Sequence, residues 1–520
     1  MTRTAAEIGA GLAPVRDARP IEPGSRIHIL GIAGAGASGA ALLARAAGAE
    51  ISGCDTGGPS PYSAAVAQAG ISIDWRHDSA HVGGANGPAR LAVTKALTAI
   101  TPHHPELEAA RRAHLPIEPW QQLVADAAFG RRLVAVAGTH GKSSTSGWLV
   151  HVLAHAGFDP SAFVGALLPA VVTHASPATA RVGSGPVFVV EADEYAGNFD
   201  AYRPDVAVLT SVEWDHPDVF ADLAAVQSAF GAWIRNMPAG GTLVANIGDP
   251  GVADLLRTLA RTLPVRLIGY AVTEAPPARA GYQRGVAAEY ATATGPAEAL
   301  LGRVVHSTPG GTVIEIVGLD ALAGPVRVNL PTAGRHNVAN ALGVAGASIA
   351  VGVDAASIAA GLETFAGIGR RLERKGEAAG VVVYDDYGHH PTAIRETLAA
   401  VRQREPGRRV WAVYEPLTFH RTAALLPEFA AALAAADGVL IADIWAGRDT
   451  DTTIASPERL VAAIRRLRSE LPVTASGPVD ATAKQLARDV VPGDVVLVMG
   501  GGHSYQIGEQ LLERLGRDRS

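Results

Sequence analysis

Short, almost unbroken apolar runs recur along the chain, each leading into a glycine-rich or polar turn. They are Arg26 to Ile32, Glu50 to Gly53, Leu91 to Thr94, Leu133 to Ala137, Val187 to Val190, Val206 to Ser211, Gly241 to Asn246, Val381 to Tyr384, Val410 to Tyr414, Val439 to Ile444 and Val495 to Met499. Runs that are apolar at successive positions, and partly β-branched, predict strands covered on both faces. Helical patterns lie between them, at Ala40 to Ala47, Pro105 to His114, from Ser144 onward and from Arg335 onward. Strands alternating with helices predict an α/β protein built on parallel sheets. Between Glu274 and Gly311 the periodicity fades into Ala, Pro and Gly, which predicts an irregular or β-rich insert.

A chain of 520 residues exceeds a single core and divides into roughly three domains of ~150 residues. Residues 1–24, with Pro14, Pro20 and Pro23, read as a loose leader, and the expected domains span 25–130, 131–369 and 370–520. The net charge of -6 gives no electrostatic case for nucleic acid or an anionic membrane. No uncharged apolar run reaches the ~18 residues a bilayer crossing needs. Cys54 is the only cysteine, which excludes a disulfide framework and fits a reducing compartment. A soluble cytoplasmic protein is the expectation.

The candidate chemistry gathers at strand ends. Leu133 to Ala137 runs into Gly138-Thr139-His140-Gly141-Lys142-Ser143-Ser144. The glycines let backbone N–H groups turn toward an oxyanion, Lys142 adds a point charge, and Ser143 offers a hydroxyl to magnesium. The general P-loop has a glycine where this chain has Val136, so the loop is a variant. Lysine occurs only at 95, 142, 375 and 484, and one of the four stands in this loop. Val187 to Val190 delivers Glu191-Ala192-Asp193-Glu194, three carboxylates that repel one another unless a cation sits among them; beside phosphates the natural cation is Mg2+. Val206 to Ser211 ends near Asp215 and His216, the latter a candidate metal or phosphate partner. Upstream, Gly34-Ala35-Gly36-Ala37-Ser38-Gly39 after a strand, with Asp55 about 20 residues on, is a Rossmann-like opening. Alone it would read as a nicotinamide dinucleotide site, so an NAD-dependent oxidoreductase and a non-catalytic nucleotide-binding protein stay open at this point. Asn337 opens a helix and could contact a base or cap it. Arg370 and Arg371 sit in a hinge-like segment, and Asp385-Asp386-Tyr387-Gly388-His389-His390 closes a strand of a third αβ unit.

Taken together, G-T-H-G-K-S at 138–143, E-A-D-E at 191–194, D-H at 215–216, G-R-H-N-V-A-N-A at 334–341, R-R-L-E at 370–373 and D-D-Y-G-H-H-P-T at 385–392 resemble the Mur ligases, ATP-dependent amide-forming enzymes of cell-wall peptide synthesis. The likeness covers Arg26 to Leu515. It implies a Rossmann-like N-terminal domain for a UDP-sugar, a central P-loop ATPase domain with a parallel sheet, and a Rossmann-like C-terminal domain for an amino acid. It also implies an acyl phosphate made at the expense of ATP and Mg2+, and a monomer or homodimer. Members that add later residues carry a carbamylated lysine after the D-H; this chain has no lysine between 142 and 375. The opening and the D-D-Y-G-H-H-P segment look most like members that join L-alanine to UDP-N-acetylmuramate, or that attach a tripeptide in wall recycling. The segments 414–422 and 442–446 favour L-alanine, whereas E-A-D-E-Y and V-E-W-D-H-P-D-V-F look like the recycling type.

By resemblance, Gly138 to Ser144 hold phosphates, Ser143, Glu191 and His216 hold magnesium, Arg371 reaches the γ-phosphate, Asn337 contacts adenine and Asp386 the ribose. Gly34, Gly36, Ser38, Gly39 and Asp55 face the UDP-sugar side, His389 is a further substrate-binding candidate, and Arg421 is the candidate for the amino-acid carboxylate, where a bidentate fork suits a planar anion. Two segments depart from the family's pattern: after Pro416, with Leu417 where histidine is usual and His420 where Ser or Thr is common, and V-T-K-A-L at 93–97 in place of S-S-A-I.

Overall fold

A computed structural model describes residues 3–83, 87–274, 285–319 and 324–517. The predicted runs become strands of three sheets. The first has the order β3-β2-β1-β4-β5, all parallel, from β1 (Arg26–Leu30), β2 (Glu50–Cys54), β3 (Ser72–Asp74), β4 (Arg90–Val93) and β5 (Ile117–Pro119). The second is ten-stranded, in the order β15-β14-β13-β12-β11-β10-β6-β9-β7-β8. Its centre is parallel: β6 (Arg132–Ala137), β9 (Val187–Glu191), β10 (Val206–Leu209), β11 (Thr242–Asn246) and β12 (Arg266–Thr273), with β7 (Ser161–Leu168) beside β9. The antiparallel additions are β8 (Ala178–Arg181) at one end and β14 (Gly311–Val317) and β15 (Val326–Leu330) at the other, the latter two joined through β13 (Glu298–Thr308). The third sheet, β16-β17-β21-β18-β19-β20, combines β16 (Glu373–Ala378), β17 (Val381–Asp386), β18 (Val410–Glu415), β19 (Gly438–Ala442), β20 (Val473–Gly477) and β21 (Val495–Gly500), parallel except for the β16 edge.

The unbroken apolar character of β6 has a direct structural reason. Val134 and Val136 enter the core on one side of the central sheet, under the helices Lys142–His155 and Arg335–Val351, while Leu133, Ala135 and Ala137 enter the core on the other. A strand covered on both faces has no polar position to spare.

Residues 3–24 contain a single helical turn, Ala5–Ile8, but they are tied down. Ile8 is buried against Tyr195 and Ala196, and Arg16 pairs with Glu118 at 3.1 Å and Asp126 at 2.7 Å. The loose leader expected from its prolines is therefore a strap that runs from the central domain onto the first. Of the expected insert, residues 275–284 lie outside the described residues, and the remainder carries a short helical stretch and β13, which pairs in parallel with β12 and antiparallel with β14.

The segment joining the central and third sheets holds Arg370 and Leu372 at φ 58° and 49°. Left-handed backbone at a non-glycine residue costs on the order of 1–2 kcal/mol, so this turn needs anchoring. Gly369 N–H donates to Leu167 O at 2.9 Å, Leu372 N–H to Asp386 at 2.8 Å, and Arg370 to Asp385 at 3.1 Å and Gly500 O at 2.8 Å. The two arginines thus separate: Arg370 clamps the turn from within the third domain, and Arg371 is free to reach across it.

Candidate active site

The loop after β6 is fixed by β10's exit. Gly138 has φ 135° and Gly141 φ 80°, the latter starting the helix Lys142–His155. Thr139 Oγ1 accepts from Glu213 N at 2.9 Å and donates to Glu213 O, and His140 N–H donates to Ser211 Oγ at 2.9 Å. A Cβ on Gly138 would lie 2.2 Å from Thr210 Oγ1 and 2.9 Å from the Ser211 backbone. Gly138→Ala is accordingly expected to destabilise the chain by about 2 kcal/mol and to abolish turnover, checked by urea unfolding beside the assay; an unchanged midpoint would contradict this tightness.

The residues named from sequence now take positions. Lys142 Nζ donates to Glu194 at 2.8 Å and Gly138 O at 2.6 Å. Ser143 Oγ donates to Glu191 Oε1 at 2.9 Å, whose other oxygen accepts Gly165 N–H at 2.6 Å. Arg371 crosses from the third domain and donates to Ser143 Oγ at 2.8 Å. Asp193, Glu194 and His216 place one ligand atom each within 4.8 Å of one another. Burial, against the opposing pull of Asp215 and with help from Arg421 and Arg448, takes the His216 ring down to about 4. Burial, with Asp193 beside it and Lys142 opposing, pushes Glu194 up to about 7. A neutral imidazole and crowded carboxylates form a donor set that fits a hard divalent cation.

Two cavities flank the loop. One, of about 350 Å³, is lined by Ser144, Asn246, Tyr270, Asn337, Asn340 and Asp386. The other, of about 320 Å³, is lined by Gly36, Lys142, Glu191, His216, His389 and Arg421. His140, Gly141, Ser143 and Arg371 line both. In the first, Asn337 Nδ2 donates to Ala333 O at 2.8 Å and its Oδ1 accepts from Asn340, while Asp386 accepts the amides of Leu372 and Gly388. In the second, burial lowers His389 well below the ordinary imidazole range, so that ring is neutral.

Within the glycine-rich opening of the first domain, Gly36 alone lines the second cavity. Gly34 caps the helix Ala35–Ala46, Gly39 packs under Phe163 and Thr179, and Ser38 Oγ lies 3.2 Å from Thr179 Oγ1. Asp55 accepts Ala33 N–H at 3.1 Å and Gly57 N–H at 2.8 Å. Four of the five positions thus shape the turn or its seat on the central domain.

Arg421 is buried, with Nε donating to Asp215 at 2.7 Å and Nη2 3.2 Å from His216 Nδ1; Nη1 is buried with no hydrogen-bond partner. A bidentate fork was expected, and one nitrogen is left for a ligand. Sequence reasoning passed over Arg448, which pairs with Asp218 at 2.7 Å, lies 3.1 Å from His216 Nδ1 and stacks 3.9 Å over the Tyr195 ring. Its signal was its place just beyond the A-D-I-W-A segment at the end of β19. Thr392, donating to Glu213 at 2.8 Å, is a further link from the third domain to the loop.

Burial alone would raise Asp218, but Arg448 holds it at about 2, and His140 and Thr392 likewise hold Glu213 at about 2. Carboxyls depressed in the folded chain contribute stability above their unfolded values, near 4, and lose it as pH falls through the folded ones. Stability is therefore expected to drop by on the order of 2 kcal/mol per group between pH 4.5 and 2. Urea titrations across that window check it, and Arg448→Met should flatten the Asp218 part; an unaltered slope would remove that pair.

This geometry has relatives. The chain matches the domain described as Mur ligase family, catalytic domain, over residues 26–132, the Mur ligase middle domain over 136–348, and the Mur ligase, glutamate ligase domain over 370–502. It belongs to the Mur ligase family. The UDP-N-acetylmuramate--L-alanine ligase of Frankia casuarinae is 36% identical over 516 residues, covering 94% of this chain and 97% of that protein. The crystal structure of a murein peptide ligase from Psychrobacter arcticus has TM-score 0.70 at 25% identity, covering 95% of this chain and 99% of that one. The UDP-N-acetylmuramate-alanine ligase of Thermotoga maritima has TM-score 0.73 at 22% identity, covering 95% and 99%, a likeness of fold. The three matched Mur ligase segments coincide with the three sheets, and the interdomain contacts of Arg371, Thr392, Arg421 and Arg448 all converge on the middle segment.

Proposed function

We propose that this Mur ligase joins L-alanine to UDP-N-acetylmuramate, consuming ATP, in the synthesis of peptidoglycan precursors. The observation that carries the proposal is the wall shared by the two cavities, where the glycine loop, Ser143 and Arg371 face both sides. A nucleotide in the first cavity would present its terminal phosphate at that wall, next to an acid held in the second. The relatives that match at about 36% over nearly their whole length, among them the Frankia protein, bear the L-alanine name; this supports alanine over the tripeptide of the recycling type.

Residues 25–130 would take the UDP-sugar, 131–369 the ATP and 370–520 the amino acid. The lactyl carboxylate attacks the γ-phosphorus and ADP departs, leaving an acyl phosphate. The amine then attacks the acyl carbon, loses a proton, and inorganic phosphate leaves as the amide forms. Such chemistry is mainly positioning and charge neutralisation. Lys142 and the loop amides hold the β- and γ-phosphates, Arg371 approaches from the third domain, Asn337 and Asp386 set the adenosine, and neutral His389 lines the sugar side. Magnesium would be held by Ser143 and Glu191, and a second ion by the His216 cluster, offsetting phosphate charge. Among the described residues no helix is long and apolar enough to cross a membrane, and we place the enzyme in the cytoplasm.

The test is phosphate release with ATP, magnesium and UDP-N-acetylmuramate, offered L-alanine, L-serine, glycine or L-Ala-D-Glu-meso-diaminopimelate. L-Alanine should give the highest kcat/KM. Release with the tripeptide and silence with L-alanine would replace this reading by the recycling one.

A further inference from the structure

The first domain contains a buried cluster that the ligase reaction does not use. Cys54 at the end of β2, His28 on β1, His81 in the turn after β3 and Glu106 on the helix Pro105–Arg112 come from four separate segments. Cys54, His28 and Glu106 are buried and His81 is nearly so. We propose that His28 Nε2, Cys54 Sγ, His81 Nδ1 and a Glu106 oxygen form a tetrahedral site for a borderline-soft divalent metal of the Zn2+ class.

The three edges joining His28 Nε2, Cys54 Sγ and Glu106 Oε2 fit that ion, and His81 supplies a fourth ligand atom within 4.8 Å of the others. Bonds of roughly 2.0–2.1 Å to N and O and about 2.3 Å to S place tetrahedral ligand atoms about 3.3–3.6 Å apart. Here His28 Nε2 lies 3.4 Å from Cys54 Sγ and 3.3 Å from Glu106 Oε2. Cys54 Sγ lies 3.1 Å and 3.4 Å from the two Glu106 oxygens, and His81 Nδ1 lies 3.1 Å from Oε1.

The ring orientations are the second observation. His28 Nδ1 is 2.9 Å from Ser52 Oγ and His81 Nε2 is 3.0 Å from Asp74 Oδ2. Each ring can therefore donate outward and turn a lone pair inward, the outer-sphere support that metal-bound imidazoles show. A route in exists as well: a cavity of about 640 Å³ reaches His28, Ser52, Asp74 and His81 from outside. Thiolate and imidazole ligands select against Mg2+, which separates this site from the carboxylate-rich one at Glu191.

The competing arrangement is a metal-free network in which Cys54 S–H and Asp78 N–H, the latter at 3.0 Å, donate to Glu106. As a thiol Cys54 is held far above its ordinary range by burial and by Glu106; a bound dication would reverse that balance. The cluster also buttresses the glycine turn, because the Cys54 carbonyl accepts the amides of Gly31 at 2.8 Å and Ile32 at 3.2 Å.

The test uses the whole chain, stripped with a chelator and titrated with CoCl2 or ZnCl2 alone. One equivalent of cobalt should produce tetrahedral d–d bands and a thiolate-to-cobalt charge-transfer band. Since Cys54 is the only cysteine, that band cannot come from the ATP site. It should vanish in Cys54→Ser, and zinc should raise the melting temperature of the parent chain but not of His81→Gln, whose side chain borders the outer cavity rather than the apolar core. Absence of the band in the folded parent chain, or its persistence in Cys54→Ser, would overturn the site. Should Cys54→Ser not fold, an equal zinc-induced shift in His81→Gln would do the same.

Discussion

Lys142→Ala is expected to lower kcat for phosphate release by about 10³-fold, the scale on which a preorganised charge at a transferring phosphoryl group acts, while leaving the fold in place. The lysine is mostly buried at the start of its helix and donates hydrogen bonds to Glu194 and to the Gly138 carbonyl; Glu194, with Asp193 and Glu191 near by, holds its pKa up against burial. A phosphate in the loop would take over those protons, so the same charge that now balances Glu194 would balance phosphate. Removing it need not leave a buried anion, because Glu194 already sits near 7 and can take up a proton. Near-ultraviolet circular dichroism should therefore match the parent chain while turnover is lost. Activity within tenfold of the parent would mean that the loop does not carry the phosphoryl group.

How much of this was visible in the chain alone depends on the range of the interaction. The strands and the glycine loop were legible because both are local: an unbroken valine-rich run has only one good environment, and Gly138 and Gly141 mark backbone that other residues resist. The six motif segments also meet in the structure, around the two cavities. What was not legible was which partner each polar group would find. Lys95, noted only as a departure, turns out to be buried with Nζ donating to Ala196 O at 2.8 Å, a contact between segments 101 positions apart. The proline-rich leader read as loose because its anchors, Glu118 and Asp126, lie more than a hundred residues on. Cys54 was informative in sequence only as a lone thiol; His28, His81 and Glu106 meet it through sheet order, which puts β1 beside β2 and folds the later turn and helix against them.

The same limit applies to Arg421, and there it changes the expected experiment. Sequence suggested a guanidinium open to a carboxylate, so that Arg421→Ala would raise the KM for the amino acid and little else. In the structure that side chain also balances Asp215, which is buried and held well below the ordinary carboxylate range against the pull of burial chiefly by Arg421. Alanine would strand that charge, at a cost of about 3–5 kcal/mol, and the resulting loss of activity would mix instability with binding. Arg421→Lys separates the two. An ammonium can stay beside Asp215, but it cannot also offer the third nitrogen, Nη1, which is buried without a hydrogen-bond partner in a side chain that lines the second cavity. The lysine variant is therefore expected to keep most of the parent's melting temperature and its KM for ATP within about twofold, while its KM for L-alanine rises at least ~10-fold, the loss of one charge-assisted hydrogen bond. An unchanged KM for L-alanine in a stable Arg421→Lys chain would make Arg421 a clamp between the middle and third domains only, and would leave Arg448, the other guanidinium on His216, as the cation to test next.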